Sequence, residues 1–508
     1  MSSVVLIRCD LYPGSGAGHL KRCSVLANAL EKRGFSAVIV LDENSGPLPL
    51  DVAVTIERIL ICPYDESSDV TAIAELALRY GAHKVVGDSY RISPRWITGL
   101  QEKGLSVILI DDLQIGDDAD LAIDYSPAAL GRPTLSNRLF GPAFFLTDSL
   151  LVEPNKVRPR KIVLHAGGTG NFAAAQHVYS AAVVMAREKG LHLSWVCPNL
   201  ESRDWILSSE LSIKADDFLD WQKGRTDLWS DFDIVVGPSS TSLFEAIMQG
   251  TLPVSFPISK TQTSERSDWI KIGHALHFDF SELEDLEVLK KIMTLAFTGF
   301  SKLRSDLTEH AQLLDENGAT RVAKAIAEFP KKIKNLHQVV SSGAVLNVRA
   351  VNLTDAVAFL AARNSPLVRK MSTNPNHVIS WPEHLYWWLE VTTERFVIDS
   401  VDCAVAYFWH RSKRVGELDY LIGGWFPVSD KPAFAAAVQL LDWQLNYCAI
   451  TFPTHTWLAT INKDNRAVLS LNRRYGFIEA DPTSRAAIKD LFPGSDNNFE
   501  YLQRKSLL

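Results

Sequence analysis

The residues best suited to chemistry open the chain. Arg8-Cys9-Asp10-Leu11-Tyr12-Pro13-Gly14-Ser15-Gly16-Ala17-Gly18-His19-Leu20-Lys21-Arg22 follows an apolar run, Val4 to Ile7, and leads into a helical pattern. This order implies strand, glycine loop, helix N-terminus. Gly14, Gly16 and Gly18 let the backbone approach a ligand, and the unpaired N–H groups of a helix start favour an anion such as phosphate. His19 stands where that ligand would lie, and the helix dipole favours a neutral ring, so it is a candidate general base toward water. The spacing is not the dinucleotide fingerprint, and it also fits a plain first-turn cap.

A second set lies at Asp233-Ile-Val-Val-Gly237-Pro238-Ser239-Ser240-Thr241-Ser242-Leu-Phe-Glu245. A strand ending at Gly237 would hand over to a helix opened by small hydroxyl residues. Backbone N–H groups there suit a diphosphate, and Glu245, one turn later, can take both hydroxyls of a ribose. An ordinary Ser/Thr cap with a first-turn acid has the same pattern.

The elements that must carry these residues alternate. Helical spacing from Ser24 to Arg33 stops at Gly34, Phe35 to Leu41 reads as a strand, and a helix from Ser68 to Tyr80 ends at Gly81. Lys84 to Asp88 and Leu105 to Ile110 are further strands, followed by Ser89-Tyr90 and Asp111-Asp112. Polar residues collect just after strands, as in a parallel sheet that binds ligands at its carboxyl edge. Asp88, Tyr90, Asp111 and Asp112 therefore share a rim with His19. The Tyr90 phenol suits a sugar hydroxyl or an attacking water, whereas the aspartates equally suit helix caps.

Glu153 to Arg160 reads as a linker, after which Lys161-Ile-Val-Leu-His165-Ala166, Gly167-Gly168-Thr169-Gly170 and a helix through Arg187 repeat the opening arrangement. Helical patterns from Glu282 to Phe297 and Lys302 to Phe329 close this half, and Pro330 to Gly343 reads as a second linker. A length of 508 residues fits roughly three domains. With 52 basic against 59 acidic residues the chain is mildly acidic, which argues against nucleic acid or an anionic membrane as partner. Six scattered cysteines read as thiols of a reducing compartment. The opening apolar run is broken by Arg8 and Asp10 too early for a signal peptide, and no window reaches the roughly 20 apolar residues of a membrane span. The expected location is the cytoplasm.

The opening motif, Asp88-Ser89-Tyr90, Gly167-Gly168-Thr169, and Ser239-Ser240-Thr241 with Glu245 together resemble the UDP-sugar hydrolases of bacterial pseudaminic acid biosynthesis, the PseG type, over residues 3 to 280. That family is similar to the transferase that adds N-acetylglucosamine to peptidoglycan lipid precursors. The resemblance implies a glycosyltransferase-B architecture of two Rossmann-like domains. It also implies release of UDP from UDP-2,4-diacetamido-2,4,6-trideoxy-β-L-altrose, or a close UDP-6-deoxy-amino sugar, by water attack at the anomeric carbon without metal or cofactor. Carried over, His19 orients and deprotonates the water and Tyr90 lines the sugar site. Glu245 binds the ribose, Ser240, Thr241, Gly168 and Thr169 lie near the diphosphate, and Asp10, Gly16, Gly18 and Asp88 complete the substrate site. Thr261-Gln262 stands where the family has Asn-Gln, giving Thr261 the place of a water-holding amide and Gln262 a substrate contact. Asp148 stands where an arginine is usual.

Beyond Val345, the segments Leu346 to Asp355, Ala362-Arg363-Asn364, Ile379 to Trp387 and Asn465 to Phe477 resemble Gcn5-type (GNAT) N-acetyltransferases, nearest to members acting on nucleotide-linked amino sugars. The resemblance places the acetyl-CoA loop at Asp430-Lys431-Pro432-Ala433-Phe434-Ala435, which offers an acid, a proline without N–H and no glycine. The family's tyrosine falls on Asn472. Acetyl-CoA suits this loop poorly, and three readings stay open: a fold kept for sugar binding or assembly, an active enzyme with an unusual loop, and a structural cap. Trp381, Trp387, Trp388, Trp425 and Trp443 suit sugar or nucleotide stacking, although core packing is the commoner use.

The expectation is thus an α/β protein, with Rossmann-like domains at 1–153 and 161–329 facing a cleft and a GNAT-like domain at 345–508. Its expected partners are a UDP-sugar and other enzymes of the same sugar pathway. The rivals are a UDP-sugar glycosyltransferase, a bifunctional hydrolase/N-acetyltransferase and a non-catalytic nucleotide-sugar binding protein. A transferase with a lipid acceptor calls for an exposed apolar or basic run near the cleft, and the N-terminal half shows none.

Overall fold

The computed structural model describes residues 3–12, 17–45, 48, 52–59, 64–130, 137–149, 151–152, 158–198, 200–209, 216–220, 227–258, 264–310, 314–329, 347–390, 392–399, 404–428, 434–495 and 498–506. They form two compact units, Met1–Leu336 and His337–Leu508.

The first unit begins with β1 (Val4–Cys9), α1 (Gly18–Glu31), β2 (Ser36–Asp42), β3 (Thr55–Ile59), α2 (Glu66–Tyr80), β4 (Lys84–Asp88), α3 (Pro94–Glu102), β5 (Ser106–Ile110), β6 (Leu121–Asp124) and β7 (Arg138–Phe140). The strands make one parallel sheet in the order β3-β2-β1-β4-β5-β6-β7. Buried on both faces, its inner strands read as unbroken apolar runs. Trp96, Ile73 and Leu100 fill the layer under α2 and α3. Gly81 closes α2 at φ 62°, a left-handed cap that fits its glycine.

The second half repeats this plan with β8 (Lys161–His165), α4 (Gln176–Glu188), β9 (His192–Cys197), α5 (Leu200–Ser208), β10 (Asp217–Asp220), β11 (Ile234–Pro238), α6 (Thr241–Met248) and β12 (Leu252–Phe256). Its parallel sheet runs β10-β9-β8-β11-β12. Then come α7 (Arg266–Lys271), α8 (Leu286–Thr298), α9 (Phe300–His310) and α10 (Gly318–Glu328). The single helix expected over 302–329 is two. A Cβ on Gly318 would lie 2.1 Å from the Phe145 carbonyl oxygen, so α10 starts where the chain passes the first half closely. From there α10 returns to that half: Arg321 donates to the Ala143 carbonyl at 2.8 and 2.6 Å, and Lys84 donates to the Ile326 carbonyl at 2.6 Å. The helix expected from Glu282 starts at Leu286, because the Asp285 side chain takes the Glu287 and Val288 N–H groups.

The second unit contains β13 (Asn347–Ala350), α11 (Ala356–Asn364), α12 (Pro366–Lys370), α13 (Trp381–Trp388), β14 (Thr393–Asp399), β15 (Ala404–Val415), β16 (Leu418–Pro427), α14 (Phe434–Thr451), β17 (Thr456–Asn462), α15 (Arg466–Arg474), β18 (Ile478–Glu479), α16 (Pro482–Leu491) and β19 (Phe499–Lys505). Its mixed sheet runs β13-β14-β15-β16-β17-β19-β18, with β16 and β17 parallel and the other neighbours antiparallel. No helix among the described residues is long and apolar enough to cross a membrane.

Candidate active site

In a doubly wound sheet the crevice opens where strand order reverses, at the carboxyl ends of the two strands flanking the reversal. In the first sheet these are β1 and β4, and in the second β8 and β11. The first crevice holds Asp10, His19, Asp88 and Tyr90. The second holds the Gly167–Thr169 turn and the start of α6.

His19 is buried in the first turn of α1, and its Nδ1 lies 2.7 Å from the Asp88 carboxylate. A carboxylate in that position accepts the Nδ1 proton, which fixes the tautomer and leaves Nε2 as the proton acceptor. Arg22, one turn along α1, grips both Asp88 oxygens, with Nε 2.6 Å from Oδ2 and Nη2 on the Oδ1 that also meets His19. It also bonds the Tyr125 hydroxyl and pairs with Asp112 at 2.7 Å. Burial alone would raise the Asp88 pKa, but Arg22 and His19 outweigh it and hold the carboxyl well below its ordinary range. Tyr90 meets the His19 ring edge-on, centroids 4.6 Å apart, and points its hydroxyl at Asp112, 3.4 Å away. Arg22, Asp88, Tyr90, Asp111 and Asp112 help line a recess of about 10 Å³, the size of one water site.

Asp10 and Asp111 work differently from the rim residues they resemble. Asp10 is fully buried; it accepts the Tyr90 N–H at 3.0 Å and pairs with Arg91. Asp42, reached by Arg91 and Arg8, links this pair to Asp69. Asp10 therefore holds the turn that presents Tyr90. Asp111 caps its own loop through the Ile115 and Gly116 N–H groups at 2.7 and 3.1 Å. Arg22 closes the opening motif of the sequence but was given no role there; its place three residues after His19, on the same helix face, was the available signal.

In the second half, His165 ends β8 beneath the α6 turn. A Cβ on Gly237 would sit 2.0 Å from its Nε2, so only glycine lets β11 pass the ring. Burial lowers the His165 pKa to about 3. Ser255 bridges His274 Nε2 at 2.7 Å and His277 Nδ1 at 2.8 Å, and the Ser239 hydroxyl lies 3.5 Å from the same Nδ1. Above this layer Ser240 and Ser242 share a hydrogen bond of 2.7 Å. Gly168 is exposed in its 3-10 turn, beside the backbone of Thr169.

The two crevices meet. A Cβ on Gly18 would lie 3.8 Å from Thr241 Oγ1, and Lys21 Nζ is 2.6 Å from the buried Glu245 carboxylate, joining α1 to α6. Tyr125, Phe145 and Phe244 pack as a ring cluster beside the contact. Lys21 lies 224 residues from Glu245, so no spacing in the sequence announces the pair.

Among solved structures, MurG of Acinetobacter baumannii is similar to this chain at 15% identity, over 65% of this chain and 100% of that one, with a TM-score of 0.49. A UDP co-structure of S. aureus MnaA is similar at 10% identity over 66% and 100%, with a TM-score of 0.47. The spinosyn rhamnosyltransferase SpnG is similar at 16% identity over 64% and 100%, with a TM-score of 0.46. No protein-family model and no curated protein matches the chain.

Gly16, Thr261 and Gln262 lie outside the described residues, as do Asp430 to Ala433 of the expected acetyl-CoA loop. Asp148 is exposed. In the second unit Asn472 is buried and donates its amide to the Val468 carbonyl at 2.9 Å, one turn back in α15. It has no acid proton to offer, and by sequence the expected loop carries an acid, Asp430, and a proline without N–H, Pro432. Trp381 and Trp388 are core residues, Trp443 stacks on Tyr447, and Trp425 packs against the same core.

Proposed function

We propose that the first unit is a UDP-sugar hydrolase of the PseG type with a glycosyltransferase-B architecture, acting on UDP-2,4-diacetamido-2,4,6-trideoxy-β-L-altrose or a close UDP-6-deoxy-amino sugar. The observation that carries this reading is the meeting of the His19 turn with the Glu245 helix, through Gly18 against Thr241 and Lys21 against Glu245. One crevice offers a base and the other an anion-binding helix start, close enough to serve one substrate. The diphosphate lies on the Ser240-Thr241 end of α6, with Gly168 and Thr169 beside it, and the ribose hydroxyls share Glu245 with Lys21.

His19, oriented by Asp88, takes a proton from water on Nε2 as the water oxygen bonds the anomeric carbon. The bond from that carbon to the diphosphate oxygen breaks, and UDP leaves with the electron pair. Tyr90, edge-on to the His19 ring, lines the sugar site. The second unit is proposed as a GNAT-like domain that does not transfer acetyl groups.

Phosphorus NMR of UDP release, with chelator present, tests the hydrolase. Release by wild type that collapses in His19→Ala supports it. Release unchanged in that variant, or none with the sugar nucleotide still bound, refutes it.

A further inference from the structure

Side chains alternate between the faces of a strand. In the second unit Phe396, Phe408 and His410 pack under α14 against Trp443 or Tyr447. Their neighbours Arg395, Trp409 and Arg411 therefore project from the other face, where Trp387 of α13 meets Trp409 edge-on at 5.9 Å. Arg363, in the last turn of α11, lies over the Trp387 ring with Cζ 4.5 Å from its centroid, and Arg395 lies over it at 4.2 Å. Arg411 covers Trp409 at 5.7 Å. Arg395 also lies 5.6 Å from the Trp388 centroid, so three guanidiniums gather on three indoles.

Acids are scarce there. Glu390 pairs with Arg411 at 2.9 Å and is also 3.8 Å from Lys413. Among the described residues Arg395 donates only to the neutral carbonyls of Thr393, Trp387 and Glu390. Arg363 has no hydrogen-bond or ion-pair partner among the described residues, and its contact is the Trp387 ring. The Nε groups of Arg395 and Arg411 are buried without an acceptor. Burial and neighbouring guanidiniums lower both Arg363 and Arg395 to about 10. The three arginines are partly buried, and ring faces are a weaker counterpart to a guanidinium than a carboxylate or phosphate. The fold alone gives no reason for this cluster.

We propose that Arg363, Arg395 and Arg411, beside Trp387, bind a phosphate-class oxyanion carried by a small molecule. Guanidinium forks match such an anion bidentately, and a dianion would balance the two charges that Glu390 leaves unmet. The site belongs wholly to the second unit and does not rest on the UDP-sugar reading.

Calorimetric titration of the full chain with sodium pyrophosphate, inorganic phosphate and acetate tests it, using wild type, Arg363→Gln and Glu245→Ala. Saturable pyrophosphate binding, weakened at least tenfold by Arg363→Gln and kept in Glu245→Ala, is expected, with a tryptophan fluorescence change that Trp387→Phe abolishes. Without anion, Arg363→Gln should melt no lower than wild type, because an unpaired charge is removed, yet pyrophosphate should no longer raise its Tm. In the Glu245→Ala background, the part of the binding that Arg363→Gln removes reports this site: UDP tighter than pyrophosphate there identifies a nucleotide and equal affinity a bare phosphate group, and either supports the site. Absence of saturable binding, equal binding by Arg363→Gln, acetate bound as tightly as pyrophosphate, or a lowered Tm with the anion response intact overturns it.

Discussion

In the proposed hydrolase, His19 and Asp88 divide a role that a lone histidine cannot fill: the carboxylate, 2.7 Å from Nδ1, holds a proton there and leaves Nε2 to act as the base. His19→Ala should lower UDP release by about 10²–10⁴-fold and leave UDP affinity nearly unchanged, because the proposed nucleotide contacts are those of α6. Stopped-assay rates and UDP titration separate the two. Asp88→Asn should do more. It leaves the buried Arg22 facing Asp112 alone, so a stability loss of about 3–5 kcal/mol in urea denaturation is expected along with the activity loss. Glu245→Ala removes the charged acceptor for the ribose and should weaken UDP binding by about 1.5–3 kcal/mol, read by calorimetry.

At the scale of elements, β8, β11 and the start of α6 depend on one missing methyl group. Gly237→Ala puts a Cβ 2.0 Å from the His165 ring, which Trp229 also contacts with centroids 4.9 Å apart. The ring cannot withdraw from a close-packed layer without shifting β11. A loss of about 1–3 kcal/mol is expected, with UDP binding weakened through the displaced α6 start, and thermal melts with UDP titration check both. The strands, glycine turns and helices of the first unit were legible because apolar runs and glycine stops are local signals. The start of α1 was legible from the glycines, which put His19 on the first turn, whereas apolar spacing alone marks the helix only from Ser24. Asp10 and Asp111 looked like site residues because a carboxylate after a strand fits both a ligand and a turn. Which one it serves depends on Arg91 and on the Ile115 and Gly116 N–H groups. Lys21 and Arg22 were invisible in that role, since their partners lie 224 and 66 residues away.

Across the whole molecule, buried histidines set the acid limit. Burial lowers His165 and His274 in the first unit and His384 in the second to about 3, and His410 to about 4; it also lowers His277. Unfolded, each titrates near 6.5. Above that value folded and unfolded forms are both neutral and pH has no leverage. Below it the unfolded ring takes a proton that the folded ring refuses, so stability falls with pH down to the folded value, by up to about 1.4 kcal/mol per group per pH unit. The three rings of the first unit together give a slope of up to about 4 kcal/mol per pH unit. Asp88 adds its own loss only lower, because its depressed carboxyl stabilises the fold above the ordinary aspartate value near 3.9 and ceases to below it. Urea denaturation at pH 7.5, 6.0 and 5.0 should therefore show little change above 6.5 and a steep loss below it. His274→Gln should reduce that slope by about one group's share while leaving His384 and His410 to act on the second unit. An unchanged slope in this variant would show that the acid sensitivity arises elsewhere, and a flat profile from 7.5 to 5.0 would show that these rings take up protons without unfolding.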